Sequence, residues 1–87
     1  MKYYDIYSNQ KGGFIVYNRR KEFSEGHTHI NNFKTARYIA YLSLYKKKPK
    51  GKLSPYLIES IVRISDDKKY IHYIQQFARD NKKRNSH

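Results

Sequence analysis

The chain has 87 residues, with 19 Lys and Arg against 7 Asp and Glu, a formal charge of +12 and no cysteine. That length suits one domain with a thin core. The lack of thiols excludes disulfide staples, zinc thiolates and cysteine nucleophiles.

No apolar run is long enough to span a bilayer. The first residues, Met1 to Asp5, lack the apolar stretch of a secretory signal, so the expectation is a cytoplasmic protein. A charge this large costs stability through self-repulsion, which an anionic partner would offset. Lys, Ile, Asn and Tyr are all abundant and all use AT-rich codons, so position carries more weight than counts. Small size, basic charge and this bias would suit a phage or mobile-element accessory protein.

Tyr3–Tyr7 and Phe14–Asn18 are rich in residues that suit strands. Between them Ser8 to Gly13 ends in two glycines able to take positive φ, which predicts a β-hairpin. Residues 19–32 read as a long polar loop with a turn at Gly26, and a loop of that length in so small a domain is a functional candidate.

A first helix is expected from about Phe33 to Lys47, capped by Asn31 or Asn32. Its apolar residues cover more than one stripe, so either it is central to the fold or part of it meets a partner. Lys46 to Lys52 follows as a lysine-rich loop in which Pro49 and Gly51 stop the helix. A second helix starts cleanly, with Ser54 as N-cap and Pro55 at the first helical position. Leu57, Ile58, Ile61, Val62 and Ile64 recur with helical period. Ser65-Asp66-Asp67 ends it and caps a third helix carrying Tyr70, Ile71, Ile74, Phe77 and Ala78. Residues 81–87 have no apolar side chain and read as a basic, disordered tail. The expected architecture is α+β: an N-terminal β-hairpin packed on three C-terminal helices (β-β-α-α-α), one domain over residues 1–80.

The charge is unevenly placed. No Asp or Glu lies between Glu25 and Glu59. The candidate phosphate-contacting residues are Arg19, Arg20, Lys21, Lys34, Arg37, Lys46, Lys47, Lys48, Lys50 and Lys52. With 13 Lys and 6 Arg, the chain suits backbone binding better than bidentate base reading. The bland alternative is that Lys46–Lys48 complement a helix dipole in a soluble connector. Tyr38, Tyr41 and Tyr45 occupy neighbouring turns among these cations, where they could stack on bases or form an interface; tyrosine at the rim of a thin core is the ordinary reading.

The last two helices could form a helix-turn-helix, with Lys68, Lys69, His72, Gln75, Gln76 and Arg79 on the polar side of the second. Asp66 and Asp67 at its start would repel phosphate, so a plain αα-hairpin is preferred.

The only enzyme-like signal is His27-Thr28-His29. In an extended chain both imidazoles point to one side. That supplies at most two metal ligands, and no spacing selects a third among His72, Glu25, Glu22 and Asp5. Catalysis, a metal and a cofactor are therefore not expected. The leading expectation is a nucleic-acid-binding accessory or regulatory protein, DNA or RNA, contacting mainly the phosphate backbone. The alternative is a protein-binding inhibitor or adaptor docking on an acidic protein or nucleoprotein complex through the first helix and the 19–32 loop. A homodimer is also compatible with the broad apolar helix.

Overall fold

In the computed structural model, which describes residues 2–84 and the side chains of residues 2–81, the chain runs β1 (Tyr4–Ser8), β2 (Phe14–Asn18), α1 (Phe23–Gly26), β3 (His27–Ile30), α2 (Phe33–Tyr45), α3 (Pro55–Ile64) and α4 (Lys68–Arg84). The hairpin and the three long helices stand as the sequence predicts. The 19–32 stretch does not remain a loop: it folds into the single turn α1 and a third antiparallel strand, giving sheet order β1-β2-β3. Helix α4 continues through residues 81–84, where the sequence places the start of the tail. The rest of that expected tail, residues 85–87, lies outside the described residues.

The hairpin closes where the Asn9 amide donates to the Gly13 carbonyl at 2.8 Å, with Gly12 at φ +91°. That φ is strained for any residue with a Cβ. Strand register sorts the side chains into two faces. Tyr4 opposes Asn18, Ile6 opposes Val16, Val16 opposes Thr28, and Phe14 opposes Ile30. These form the inner face, against which α2 and α3 pack. Asp5 opposes Tyr17, Tyr7 opposes Ile15, Ile15 opposes His29, and Tyr17 opposes His27. Directly opposed residues share a side, so this second set forms the outer face.

Helix α2 is central to the fold. Asn32 caps it by accepting the Thr35 amide at 2.8 Å, and Ala36, Ile39, Ala40, Leu42, Ser43 and Leu44 are all buried. The aliphatic part of its wide apolar arc is thus spent between the sheet and α3, while Phe33, Tyr41 and Tyr45 stay exposed. Helix α3 starts at the Ser54 cap and buries Ile58, Ser60, Ile61 and Ile64. Asp67 opens α4 by accepting the amides of Lys69 (2.8 Å) and Tyr70 (3.2 Å), and α4 seats Tyr70 and Ile74 in the core.

The end of α3 is the tightest polar junction. A helix leaves its last carbonyls without intrahelical partners, and α3 has no glycine to turn them back. Remote donors serve instead. Tyr4 Oη donates to the Ile64 carbonyl (3.2 Å), as does Asn18 Nδ2 (2.8 Å). Lys21 Nζ donates to the carbonyls of Arg63 (2.8 Å) and Ser65 (3.2 Å). The Arg63 side chain runs the other way, to the carbonyls of His27 (2.7 Å) and Ser24 (2.6 Å). Gly26 is required here because a Cβ would come within 2.6 Å of Lys21 Cβ. Burial, aided by the nearby Asp66 charge, pushes the Tyr4 phenol well above its ordinary range.

Candidate nucleic-acid interface

The ten candidate phosphate-binding cations fall into two groups. Arg19, Arg20, Lys21 and Lys46 already have internal partners. Arg19 pairs with Asp5 at 3.3 Å and also reaches the Lys2 carbonyl. Arg20 lies 3.8 Å from Asp66 and 3.9 Å over the Tyr3 ring. Lys21 caps α3 as described. Lys46 adopts the left-handed conformation that ends α2 (φ 54°) and pairs with Asp67 at 3.9 Å. So of the Arg19–Lys21 cluster, expected at the phosphate surface, Arg20 and Lys21 join the end of β2 to the α3–α4 corner and Arg19 joins it to β1.

The other six are Lys34, Arg37, Lys47, Lys48, Lys50 and Lys52. All are exposed, and among the described residues none is held in an ion pair. Four of them sit on the 46–52 loop, which the sequence allows to be a flexible connector. It is pinned instead. Tyr70 Oη donates to the Lys47 carbonyl at 2.8 Å, Pro49 is buried, and the Lys50 amide donates to Tyr38 Oη at 2.9 Å. Burial pushes the Tyr70 phenol well above its ordinary range, so it holds its proton for that contact. The loop therefore presents its lysines from a fixed backbone.

Tyr38 links this loop to α2. Lys34, Arg37, Tyr41 and Tyr45 occupy positions three or four apart, which forms one stripe along the outer side of the helix. Together with Tyr38 and Thr35 they line a shallow groove. Tyr41 is 41% and Tyr45 55% exposed, and their rings lie 5.3 Å apart at 59°. Lys48 looks the other way, into a crevice with Tyr73, Gln76, Phe77 and Asp80 on α4. The loop thus borders two surfaces, of which the α2 groove is free of acids.

At the start of α4, Asp67 caps the helix while Asp66 and Asp67 hold Arg20 and Lys46. The entry that a recognition helix would offer to phosphate is occupied by these acids and their partners.

His27 and His29 do come together. In β3 they share the outer side, with rings 5.2 Å apart at 76°. His27 stacks on Phe23 at 4.2 Å and 5°, and its Nδ1 contacts the Phe23 carbonyl. Tyr56, Glu59 and Arg63 complete a small pocket around them. Among the described residues, no three His, Asp or Glu side chains are placed to share a metal ion.

The sequence allows Tyr7 and Tyr17 to face out from the hairpin and sets His27 and His29 on one side, but it did not foresee that β3 joins them in one uncovered sheet face, with Ile15 between and Phe23 at its edge. The signal was the alternation of Tyr17 with Ile15, but it meant little until β3 was known to pair. Among the described residues no helix is long and apolar enough to cross a membrane. Compared with known proteins, the chain matches no family model, no curated protein and no solved structure.

Proposed function

We propose that the protein binds nucleic acid, mainly through the phosphate backbone, on the surface made by the outer stripe of α2 and the pinned 46–52 loop. The observation that carries this reading is the separation of the cations. Three acids, Asp5, Asp66 and Asp67, pair with Arg19, Arg20 and Lys46, while among the described residues Lys34, Arg37, Lys47, Lys48, Lys50 and Lys52 are exposed without an acidic partner. Unmatched cations on a fixed frame repel one another in the free protein, and condensed phosphates relieve that repulsion. An accessory or regulatory role on DNA or RNA would follow, and no reaction is part of it.

The test is fluorescence anisotropy with labelled single-stranded DNA, duplex DNA and RNA over a salt series. Affinity that falls steeply with salt supports the reading; no binding even at low salt defeats it.

A second reading rests on the uncovered sheet face. Tyr7 (41% exposed) and Phe23 (44%) flank a patch that could dock on an acidic protein or nucleoprotein complex, as an inhibitor or adaptor would. A partner captured from nuclease-treated lysate, and lost on Tyr17→Ser/Phe23→Ser substitution, would favour it. A partner that disappears with the nuclease would remove its support.

A further inference from the structure

We propose that the α2 groove is a stacking platform for unpaired bases, so that the protein selects single-stranded over duplex nucleic acid. This rests on the phosphate-binding reading and adds the form of nucleic acid that the surface takes.

Helix α2 buries most of its circumference yet leaves Tyr41 and Tyr45 about half exposed on the one stripe that also carries Lys34 and Arg37. Exposed aromatic rings usually mark a contact surface when they are clustered. The two rings are tilted at 59°, so neither hides the other by parallel stacking, and planar ligands can approach. Tyr38 forms a fixed wall because its hydroxyl is held by the Lys50 amide. Aromatic faces interleaved with cations are the arrangement that single strands require: rings take bases and cations take the adjoining phosphates.

Duplex is the poorer fit. In a duplex the base faces are covered by their neighbours and only edges are presented. Reading those edges takes a helix that protrudes into the major groove. Helix α2 is embedded between the sheet and α3 and offers only a stripe. An acidic peptide would satisfy the cations, but unlike a single strand it does not bring a planar face with every negative charge.

The experiment compares a labelled oligothymidylate, an oligouridylate and a duplex of equal length against the full chain and its Tyr41→Ala/Tyr45→Ala and Tyr41→Phe/Tyr45→Phe variants. The chain has no tryptophan but ten tyrosines, so the quenching due to Tyr41 and Tyr45 is read as the difference between the full chain and the variants that lack these two tyrosines. The expected results are tighter binding to a single strand than to the duplex, and quenching of tyrosine emission on binding. The alanine pair should weaken single-strand binding by at least about 5-fold, with about 5- to 150-fold lost for each base that no longer stacks. The salt slope should be unchanged, and the phenylalanine pair should retain affinity, since it keeps the rings. Circular dichroism and a thermal melt check that the alanine variant is folded; if it is not, the preference for single strand over duplex in the full chain decides the proposal. Equal or tighter duplex binding, or salt-dependent binding indifferent to the alanine pair, overturns the stacking proposal while leaving the phosphate surface standing. Competition by polyglutamate as strong as by oligothymidylate at equal charge also overturns it. Failure of every nucleic acid to bind at low salt overturns both readings.

Discussion

Neutralising Lys47, Lys48, Lys50 and Lys52 together, as glutamines, should leave the fold intact and flatten the salt dependence of nucleic-acid binding. The loop is held by Tyr70 on the Lys47 carbonyl, by buried Pro49 and by Tyr38 on the Lys50 amide. None of these uses a lysine ammonium, so the backbone should keep its place. If the five candidate cations other than Lys48 contact phosphates, the slope of log affinity against log salt on a single strand is about −0.7 per contact, or roughly −3.5 in all. With two contacts left it becomes about −1.4. Raising salt from about 50 to about 200 mM would then weaken the parent by roughly 130-fold and the variant by only about 7-fold. Anisotropy titrations at four or five salt concentrations measure both slopes. Lys21→Met is the informative control. Its ammonium is engaged by the Arg63 and Ser65 carbonyls, so it should lower stability and leave the slope alone. If Lys21→Met flattens the slope as much per charge as the loop substitutions do, the division into engaged and available cations is wrong.

Asn18→Ala should cost about 2–4 kcal/mol in urea denaturation. It removes a buried donor to the Ile64 carbonyl and the acceptor for the Arg20 amide, two bonds at 2.8 and 2.9 Å. Ser43→Ala should stabilise by about 1 kcal/mol, because Ser43 Oγ is buried with no hydrogen-bond partner among the described residues; a loss of stability would show that the hydroxyl is satisfied. Stability should hold through neutral pH and decline above about pH 10. Tyr4 and Tyr70 have folded pKa values raised above their ordinary value of 10.0, chiefly by burial. Their contribution is therefore complete below the unfolded value and is lost as the unfolded chain ionises first. Each should remove about 1 kcal/mol between about pH 10 and 11. Tyr4→Phe should be less stable at neutral pH yet decline less steeply in alkali, as thermal melts across pH would show.

Much of the framework was legible in the residues alone, wherever the signal is local. The alternation in Tyr3–Tyr7 and Phe14–Asn18 with Gly12-Gly13 between them, the Asn32 and Ser54-Pro55 caps, and the acid-free interval from Gly26 to Ile58 all rest on neighbours a few positions apart. Helix and strand periodicity, capping and turn chemistry act over that range.

Three things were decided only by the tertiary structure. His27–Ile30 is too short and too polar to declare itself a strand, and it becomes one because Val16 and Phe14 offer it an edge to pair with. The 46–52 loop is rigid because Tyr70, from 23 positions away in the chain, reaches its backbone. Which cations are available also depended on distant partners: Lys21 meets carbonyls 42 and 44 positions on, and Arg20 meets Asp66. A basic residue looks the same in the sequence whether it faces phosphate or caps a helix. For Arg20 and Lys21 it is the packing of α3 and α4 against the sheet that brings a carboxylate or a carbonyl within reach, and that packing is a sum over the whole core.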